Sequence, residues 1–211
     1  MRMKKHPLFS IILMTGVAVG LVLPVAASEI QPMDTLKDRI DKGLALLNDA
    51  PCRTPACRIR QERHLWQLLH ESFDFFTMSR LVLASRWYDF TPEQQMTFVH
   101  EFAEFLRRSY LPELLEKYNG EQVEYVRQEQ VSSTRARVDV VVLWRARRIP
   151  ITAKMIRREG TWKIYDVSSL GISAMQNYRA QFRWLLQQET PARVIEILKS
   201  SGIGLRPARL C

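Results

Sequence analysis

The sequence predicts an α+β domain in which N-terminal and C-terminal helices cover one face of a curved antiparallel sheet of about four strands. Apolar side chains recur at three- and four-residue steps up to about Tyr118 and again after Ser173, as they do in amphipathic helices. Between these regions they recur at every second residue, which is the period of a strand with one buried face. Short links rich in Arg or Gly join the strands and indicate antiparallel hairpins. The chain shows no internal repeat and no linker, so residues 28–200 are interpreted as one domain.

The N-terminus has the features of a secretory signal. Three basic residues in the first five positions precede an apolar run at residues 8–23, and small side chains follow at residues 25–27, as at a signal peptidase site. Pro24 interrupts the run, and no basic stop-transfer segment follows it. No later segment approaches the roughly 20 apolar residues of a membrane helix. We therefore expect residues 1–27 to be removed, the mature chain to be exported and residues 201–211 to form a flexible tail.

Four helices are predicted before the sheet. Asp34 is positioned to cap the first helix, and two prolines within residues 50–57 end it, because proline lacks a backbone donor. A second and a third helix follow. Thr91 then caps a fourth helix that has proline at its first position, and the apolar spacing continues to about Tyr118. Pro112 predicts a kink in this helix or an early end.

The predicted strands follow the turn signal at Asn119-Gly120, where the apolar period changes from about 3.6 to 2. Val123 and Tyr125 begin the pattern weakly. The stronger runs place on one face Ala136, Val138, Val140, Val142 and Trp144, then Ile149, Ile151, Ala153 and Met155, then Trp162 and Ile164. Two helices near residues 173–188 and 191–200 complete the predicted domain.

The chain is basic, and Arg supplies most of its positive charge. The 211 residues carry a formal net charge of +9. The predicted signal holds three of the 31 Lys and Arg and none of the 22 Asp and Glu, so the mature chain keeps +6. Export argues against nucleic acid as the partner. Anionic lipid head groups, membrane surfaces and acidic proteins remain, beside the plainer interpretation of a solvated surface. The group Arg145, Arg147 and Arg148 is suited to guide docking to an acidic partner.

The cysteines predict one disulfide and no metal site. Cys52 and Cys57 can close a small ring in an oxidising compartment, which stabilises the fold by about 2 kcal/mol through loop entropy if the ring is unstrained. Their spacing is not that of a zinc site, and no second Cys or His pair completes one. Cys211 is left as a free thiol.

No catalytic motif is present, and we predict no catalytic residue. The sequence lacks H-E-x-x-H, G-x-S-x-G and phosphate-binding loops. The alternative is a small-molecule enzyme of ketosteroid-isomerase-like architecture, with Asp166 as the base and Tyr165 as a proton donor at the end of a strand. An Asp that ends a strand before a Ser-Ser turn more commonly hydrogen-bonds local backbone.

Two apolar surfaces dominate the pattern. One is the helix stripe of Phe98, Phe102 and Phe105. The other is the strand face described above. Periodicity alone indicates that both surfaces are parts of an ordinary packed core.

Three stretches of sequence carry a family resemblance. They are FDFFTMSRLVLASRW from Phe73, TPEQQMTFVHEFAEFLRRSY from Thr91, and a segment from Trp162 in which W-x-I-x-D-V, G-x-S and Y-R-x-Q-F keep fixed separations. Together, over roughly residues 73–198, they resemble the MlaC family, the toluene-tolerance auxiliary-transport family of periplasmic phospholipid-binding proteins. The chain departs from this family within VLASRW, where many relatives have Gly-Arg after the leucine and this chain has Ala84-Ser85.

The resemblance implies a monomeric periplasmic carrier without enzymatic activity, whose cargo is phospholipid and which needs no other cofactor. Such a carrier would shuttle lipid between an outer-membrane lipoprotein and an inner-membrane lipid transporter complex of the ABC type, and so maintain outer-membrane lipid asymmetry. It would touch membrane surfaces only transiently. The resemblance also turns the two apolar surfaces into walls of an apolar cavity. The lipid-binding residues that it implies are Leu81, Val82, Phe98, Phe102, Phe105, Val138, Val140, Val142, Ile151, Ala153, Met155 and Tyr165.

Overall fold

The computed structural model of the chain describes residues 30–48, 54–145, 147–200 and 205–207. Within these residues it contains six α-helices and a five-stranded antiparallel sheet, so the predicted α+β class is confirmed. The helices are α1 (Pro32–Asn48), α2 (Pro55–Ser72), α3 (Phe75–Leu83), α4 (Pro92–Lys117), α5 (Ala174–Leu185) and α6 (Pro191–Lys199), with a 3₁₀ helix (Ala84–Asp89) between α3 and α4. The strands are β1 (Gln122–Ser132), β2 (Arg135–Trp144), β3 (Arg147–Arg158), β4 (Thr161–Ser169) and β5 (Ile172–Ser173).

Several sequence-based expectations concern residues outside the described ranges. The predicted signal peptide, Cys52, Cys211 and most of the predicted tail lie there. Cys57 is disulfide-bonded. Its pairing with Cys52 stays a prediction, as do the domain boundaries.

The sheet is a meander in which each strand pairs with the next one in the chain. Its four long strands match the predicted number, and the two-residue β5 extends the sheet beyond β4. Glu159-Gly160 and Leu170-Gly171 form the two-residue turns on either side of β4. All four residues have positive φ, as type I′ hairpin turns require. A register shift after Lys154 marks a bulge between β3 and β4, and such bulges bend a sheet.

One hydrophobic cluster, called here the sheet cluster, lies between α1 and the sheet. Leu36 of α1 is 3% exposed. It belongs to a buried group with residues of β2, β3 and β4, namely Ala136, Val138, Val140, Ala153, Met155, Trp162 and Ile164. Trp162 Nε1 also donates a hydrogen bond to the backbone carbonyl of Ile30 at 2.9 Å. The face that alternation predicts to be buried is therefore covered by the N-terminal helix.

A second cluster, called here the helical cluster, joins α3, α4, α5 and α6. Phe98, Phe102 and Phe105 of α4 are at most 2% exposed. Their rings meet Phe182 and Tyr178 of α5 edge-on, with ring centroids 5.2–5.8 Å apart. This arrangement corrects the expectation that the phenylalanine stripe faces the strands across a hollow interior. The stripe packs on α5 because α5 has an apolar stripe of its own to bury.

The start of α4 follows the prediction, whereas its end does not depend on Pro112. Thr91 Oγ1 accepts a hydrogen bond from the Gln94 backbone N–H, and the Gln94 side chain accepts one from the Thr91 N–H. This reciprocal pair is a capping box. The helix then continues through Pro112 to Lys117. Its last turns therefore remain available to form a wall beyond the helical cluster.

Asp166 fixes the corner at which β4 leads through β5 into α5. Its carboxylate accepts hydrogen bonds from the Ser173 hydroxyl at 2.8 Å, the Met175 backbone N–H at 3.2 Å and Lys154 Nζ at 2.9 Å. The Ser173 hydroxyl oxygen accepts in turn from the Gln176 N–H and so caps α5. The side chain is thus committed to local structure, as an Asp before a turn commonly is.

Asp74 does the same for α3. Its carboxylate accepts hydrogen bonds from the Thr77 backbone N–H at 2.8 Å, the Thr77 hydroxyl at 2.8 Å and the Arg158 guanidinium at 3.0 Å. Burial alone raises the pKa of Asp74, but the hydrogen bonds from Thr77 and Arg158 outweigh burial and hold the pKa below its ordinary value. The Asp74 N–H also donates to the Ile164 carbonyl at 2.8 Å, which joins α3 to β4.

Candidate functional site: an apolar cavity and its groove

An apolar cavity of about 600 Å³ lies between the sheet cluster and the helical cluster and opens to the surface. All α-helices except α6 contribute to its wall, together with β1, β2 and β4. The side chains that make its apolar lining are Leu44, Leu47, Trp66, Leu69, Phe73, Phe75, Met78, Leu106, Tyr110, Leu111, Leu114, Tyr118, Val123, Val142, Trp144, Val167, Ala174, Met175 and Tyr178. A ligand inside would meet almost only hydrocarbon and aromatic surface.

Tyr110 of α4 marks the boundary between the helical cluster and the cavity. Its hydroxyl lies 2.8 Å from the Tyr178 hydroxyl. The ring contacts of α4 and α5 run antiparallel, from Phe98 with Phe182 to Phe105 with Tyr178. Beyond Tyr110, α4 lines the cavity through Leu111 and Leu114, and Ala174 and Met175 in the first turn of α5 line the same cavity.

Three charged side chains at the edge of the cavity are held in ion pairs, and the fourth, Glu121, accepts a hydrogen bond from the Asn119 backbone N–H at 2.8 Å. Arg107 bonds to Glu62 and to Glu104, both at 2.8 Å. Lys117 Nζ bonds to Glu113 at 2.5 Å. Because these charges have partners, the cavity wall does not need a charged ligand to satisfy them.

A wider groove of about 1,820 Å³ lies beside the cavity. The cavity and the groove share five lining residues, Tyr110, Glu113, Lys117, Val142 and Trp144. The remaining residues of the groove are Arg147, Arg148, Ile149, Pro150, Ile151, Leu170, Ile172, Asn177, Gln181, Arg206 and Pro207. The apolar interior is thus continuous with a surface groove whose charged residues are mostly arginines.

The family model described as MlaC protein matches residues 37–200 of the chain. This match covers well over half of the sequence. The chain belongs to the MlaC family. The resemblance inferred from the three sequence stretches is thereby confirmed, and the match also includes most of α1 and all of α2, which those stretches do not reach. No curated protein matches this MlaC-family chain.

A solved structure shares the fold of this MlaC-family chain. It is the phospholipid-binding protein from Ralstonia solanacearum, solved in complex with a phospholipid, and the two chains superimpose with a TM-score of 0.70 at 20% sequence identity. The match covers 82% of this chain and 98% of that chain. At this level of identity the likeness establishes the architecture of helices and sheet.

The structure places two of the predicted lipid-binding residues of the MlaC-family chain at these openings. Val142 lines both the cavity and the groove, and Ile151 lines the groove. The other ten line neither. Val138, Val140, Ala153 and Met155 lie in the sheet cluster, Val82, Phe98, Phe102 and Phe105 lie in the helical cluster, Tyr165 packs against the helical cluster from β4, and Leu81 is partly exposed on α3. Since α1 and α5 already cover most of these side chains, their packing disfavours them as lining residues.

Sequence reasoning missed the walls supplied by α1, α2 and the second half of α4. A signal was present, because the apolar stripe of α4 continues past Phe105 through Leu106, Tyr110 and Leu114. Periodicity marks such residues as turned away from water. It does not tell whether another helix or a ligand covers them.

The enzyme alternative finds no support in the position of Asp166. This residue lines neither the cavity nor the groove, and its oxygens are held by Ser173, Met175 and Lys154. A general base must reach the proton that it removes from a bound substrate. In the part of the chain that the structure describes, no group of three or more His, Cys, Asp or Glu could hold a metal ion. No helix within the same ranges has the length and apolarity to cross a membrane.

Proposed function

We propose that this chain is a periplasmic phospholipid carrier that binds acyl chains in the apolar cavity and leaves the head group at the groove. The observation that carries the proposal is the cavity itself, whose lining is apolar and which opens to the surface. Its volume of about 600 Å³ falls within the range of about 300–1,000 Å³ typical of small-molecule sites. The shared fold with a protein solved in complex with a phospholipid supports this proposal.

Acyl chains need an enclosure of this kind. A diacyl phospholipid has about 30 methylenes, and at about 0.8 kcal/mol for each one their exposure to water costs on the order of 20 kcal/mol. A flat surface patch covers too little of each chain to offset that free energy. The head group has the opposite requirement, because burial of its charge is unfavourable. An apolar cavity that leads into an open polar groove meets both requirements.

The carrier would move lipid between an outer-membrane lipoprotein and an inner-membrane lipid transporter complex, and so help to maintain lipid asymmetry. The predicted signal peptide supports export to the periplasm. Transfer needs no catalytic step and no further cofactor, only differences in affinity for lipid among donor, carrier and acceptor. The proposal is therefore a binding and transport protein, with contacts to membrane surfaces that last only as long as transfer.

Native mass spectrometry of the full chain, purified under mild conditions, tests the proposal. We expect a bound species of phospholipid mass that organic extraction releases. Val142→Trp should lower this occupancy severalfold, because Val142 lies where the cavity joins the groove and the added indole fills the passage. Val126→Trp is the matched control, since Val126 is 57% exposed on β1 and lines neither space.

Two results would contradict the proposal. One is wild-type chain that carries no phospholipid and acquires none from vesicles. The other is a folded Val142→Trp variant with undiminished lipid occupancy. Turnover of a small carbonyl compound by lipid-free chain would favour the enzyme instead.

A further inference from the structure

We propose that the groove binds the phosphate of a lipid head group with net negative charge, such as that of phosphatidylglycerol, through Arg147 and Arg206. This inference rests on the proposed function, which leaves the head group at the groove, and it adds the class of head group that is preferred. It also changes the interpretation of Arg147, which the sequence assigns to docking.

The register of β2 and β3 puts Arg147 on the cavity side of the sheet. Arg147 pairs with Trp144, and Ile149 pairs with Val142. Residues that pair directly across antiparallel strands project from the same face of the sheet. Trp144 and Val142 line the cavity. Arg147 therefore projects from the cavity face, at the end of β3 where the cavity passes into the groove.

Arg148, the next residue, projects from the opposite face because side chains alternate along a strand. Its guanidinium donates two hydrogen bonds to the carboxylate of Glu124, at 3.0 and 2.6 Å. These bonds lower the pKa of Glu124 and neutralise Arg148 locally. The Arg147 guanidinium, in contrast, has no hydrogen-bond or ion-pair partner among the described residues. Of these two neighbouring arginines, Arg147 is the one available to a ligand.

Arg206 reaches the groove from the C-terminal segment at residues 205–207. Its backbone N–H donates to Gln181 Oε1 at 2.7 Å, and Gln181 Nε2 donates to the Arg206 carbonyl at 3.0 Å. Leu205 packs against the helical cluster. These contacts hold the backbone beside α5, while the Arg206 guanidinium has no partner within the described ranges.

The charge of the groove favours an anion over a zwitterion. Among the described residues, the only carboxylate that lines the groove is that of Glu113, and Lys117 already holds it. The ammonium of phosphatidylethanolamine would find no unpaired carboxylate among the described groove residues and would face two arginines. A phosphate matches the planar fork of donors on each guanidinium. The groove thus disfavours the ammonium group, which phosphatidylethanolamine carries and phosphatidylglycerol lacks.

Competitive loading tests the inference. Lipid-free full chain is incubated with vesicles that contain equal amounts of phosphatidylglycerol and phosphatidylethanolamine, then recovered, and its bound lipid is quantified by mass spectrometry. Because the arginines are exposed, we expect a moderate enrichment of phosphatidylglycerol, about threefold to tenfold. Added NaCl should reduce it. The double variant Arg147→Gln, Arg206→Gln should bring the ratio close to one.

Arg193→Gln controls for net charge. Arg193 is exposed on α6 and lines neither the cavity nor the groove, so this variant should keep the wild-type ratio. If the lipid ratio falls by the same amount for each charge removed, at Arg193 as in the groove, the preference depends on overall charge and the inference is overturned. A wild-type ratio of one would also overturn it while the proposed function stands. Chain that binds no lipid of either kind would contradict the proposed function itself.

Inorganic phosphate and glycerol phosphate distinguish a head-group site from a general phosphate site. At millimolar concentration they should leave the lipid ratio unchanged, because the enclosed acyl chains give the tethered phosphate a high effective concentration in the groove. Loss of the phosphatidylglycerol preference under these conditions would indicate a site for free phosphate and overturn the assignment to a lipid head group.

Discussion

The two halves of α4 have the same amphipathic character but opposite surroundings. In the first half, Phe98, Phe102 and Phe105 are buried against α5. In the second half, Leu111 and Leu114 face a cavity. The difference arises from the partner, since the aromatic contacts with α5 extend from Phe98 only as far as Tyr110, and the helix lines the cavity beyond that residue. How far a neighbouring helix packs along the stripe, and not the apolarity of the stripe, decides whether it becomes core or cavity wall.

Truncation of one large side chain in each half gives the largest contrast. Phe102→Ala should lower the free energy of unfolding by about 3–5 kcal/mol, because it leaves a void in a closed cluster. Leu114→Ala should lower it by less than about 1 kcal/mol, the range of sites with few packed neighbours, since Leu114 is 38% exposed and lines the cavity. Urea denaturation of lipid-free chain measures both. Equal losses would mean that the second half of α4 is packed core as well.

The N-terminal cap of α3, formed by Asp74, should stabilise the fold whether or not a ligand occupies the cavity. Asp74→Ala should lower the free energy of unfolding by about 1–2 kcal/mol at neutral pH, since it removes the cap of α3 and the contact with Arg158. The folded-state pKa of Asp74 lies below the ordinary value of an aspartate. Its stabilising effect is therefore fully present above that value and is lost as the pH falls through the folded-state pKa.

Denaturation of wild type and Asp74→Ala at pH 7 and at pH 3, with and without bound lipid, checks this expectation. Asp74→Asn serves as the control, because Asn still caps a helix but cannot pair with Arg158 as a charge. The account predicts the same difference in the lipid-free and loaded chains. A difference present only in loaded chain would make α3 a part of the ligand site and not a fixed wall.

A substitution at the C-terminal end of α3 should have the smallest effect on the free energy of unfolding. Ala84 has φ 50° and ψ −124°, a backbone conformation that glycine adopts with less strain than alanine. Ala84→Gly should therefore raise the free energy of unfolding by about 1 kcal/mol, visible as a higher Tm. An unchanged or lower Tm would mean that this strain is relieved in solution.

Local chemistry in the sequence predicts much of the fold. Thr91 and Pro92 place the start of α4 correctly because capping depends on a few adjacent residues. Alternation identifies the buried face of β2, where Val138 and Val140 lie in the sheet cluster. Short polar links predict the hairpins. Each of these features depends on residues that are neighbours in the chain or across one turn.

The site is less predictable because it depends on how distant elements end. Phe105 and Leu106 are adjacent in sequence, yet Phe105 is buried within the helical cluster, whereas Leu106 packs at the edge of that cluster and lines the cavity. Leu44 of α1 lines the same cavity from the other side. Periodicity gives all three the same description, a side chain turned away from water. Only the spatial relation of α1, α4 and α5 separates the protein's own core from a space left for a ligand.

The most direct test of the cavity is a phospholipid with a photoreactive group near the end of one acyl chain. After loading into the full chain and irradiation, peptide mapping by mass spectrometry locates the adducts. The account predicts adducts on the second half of α4, at residues 106–117, and on α1 at Leu44 or Leu47. Adducts concentrated at Phe98 and Phe102, or confined to the exposed surface of the protein, would contradict it.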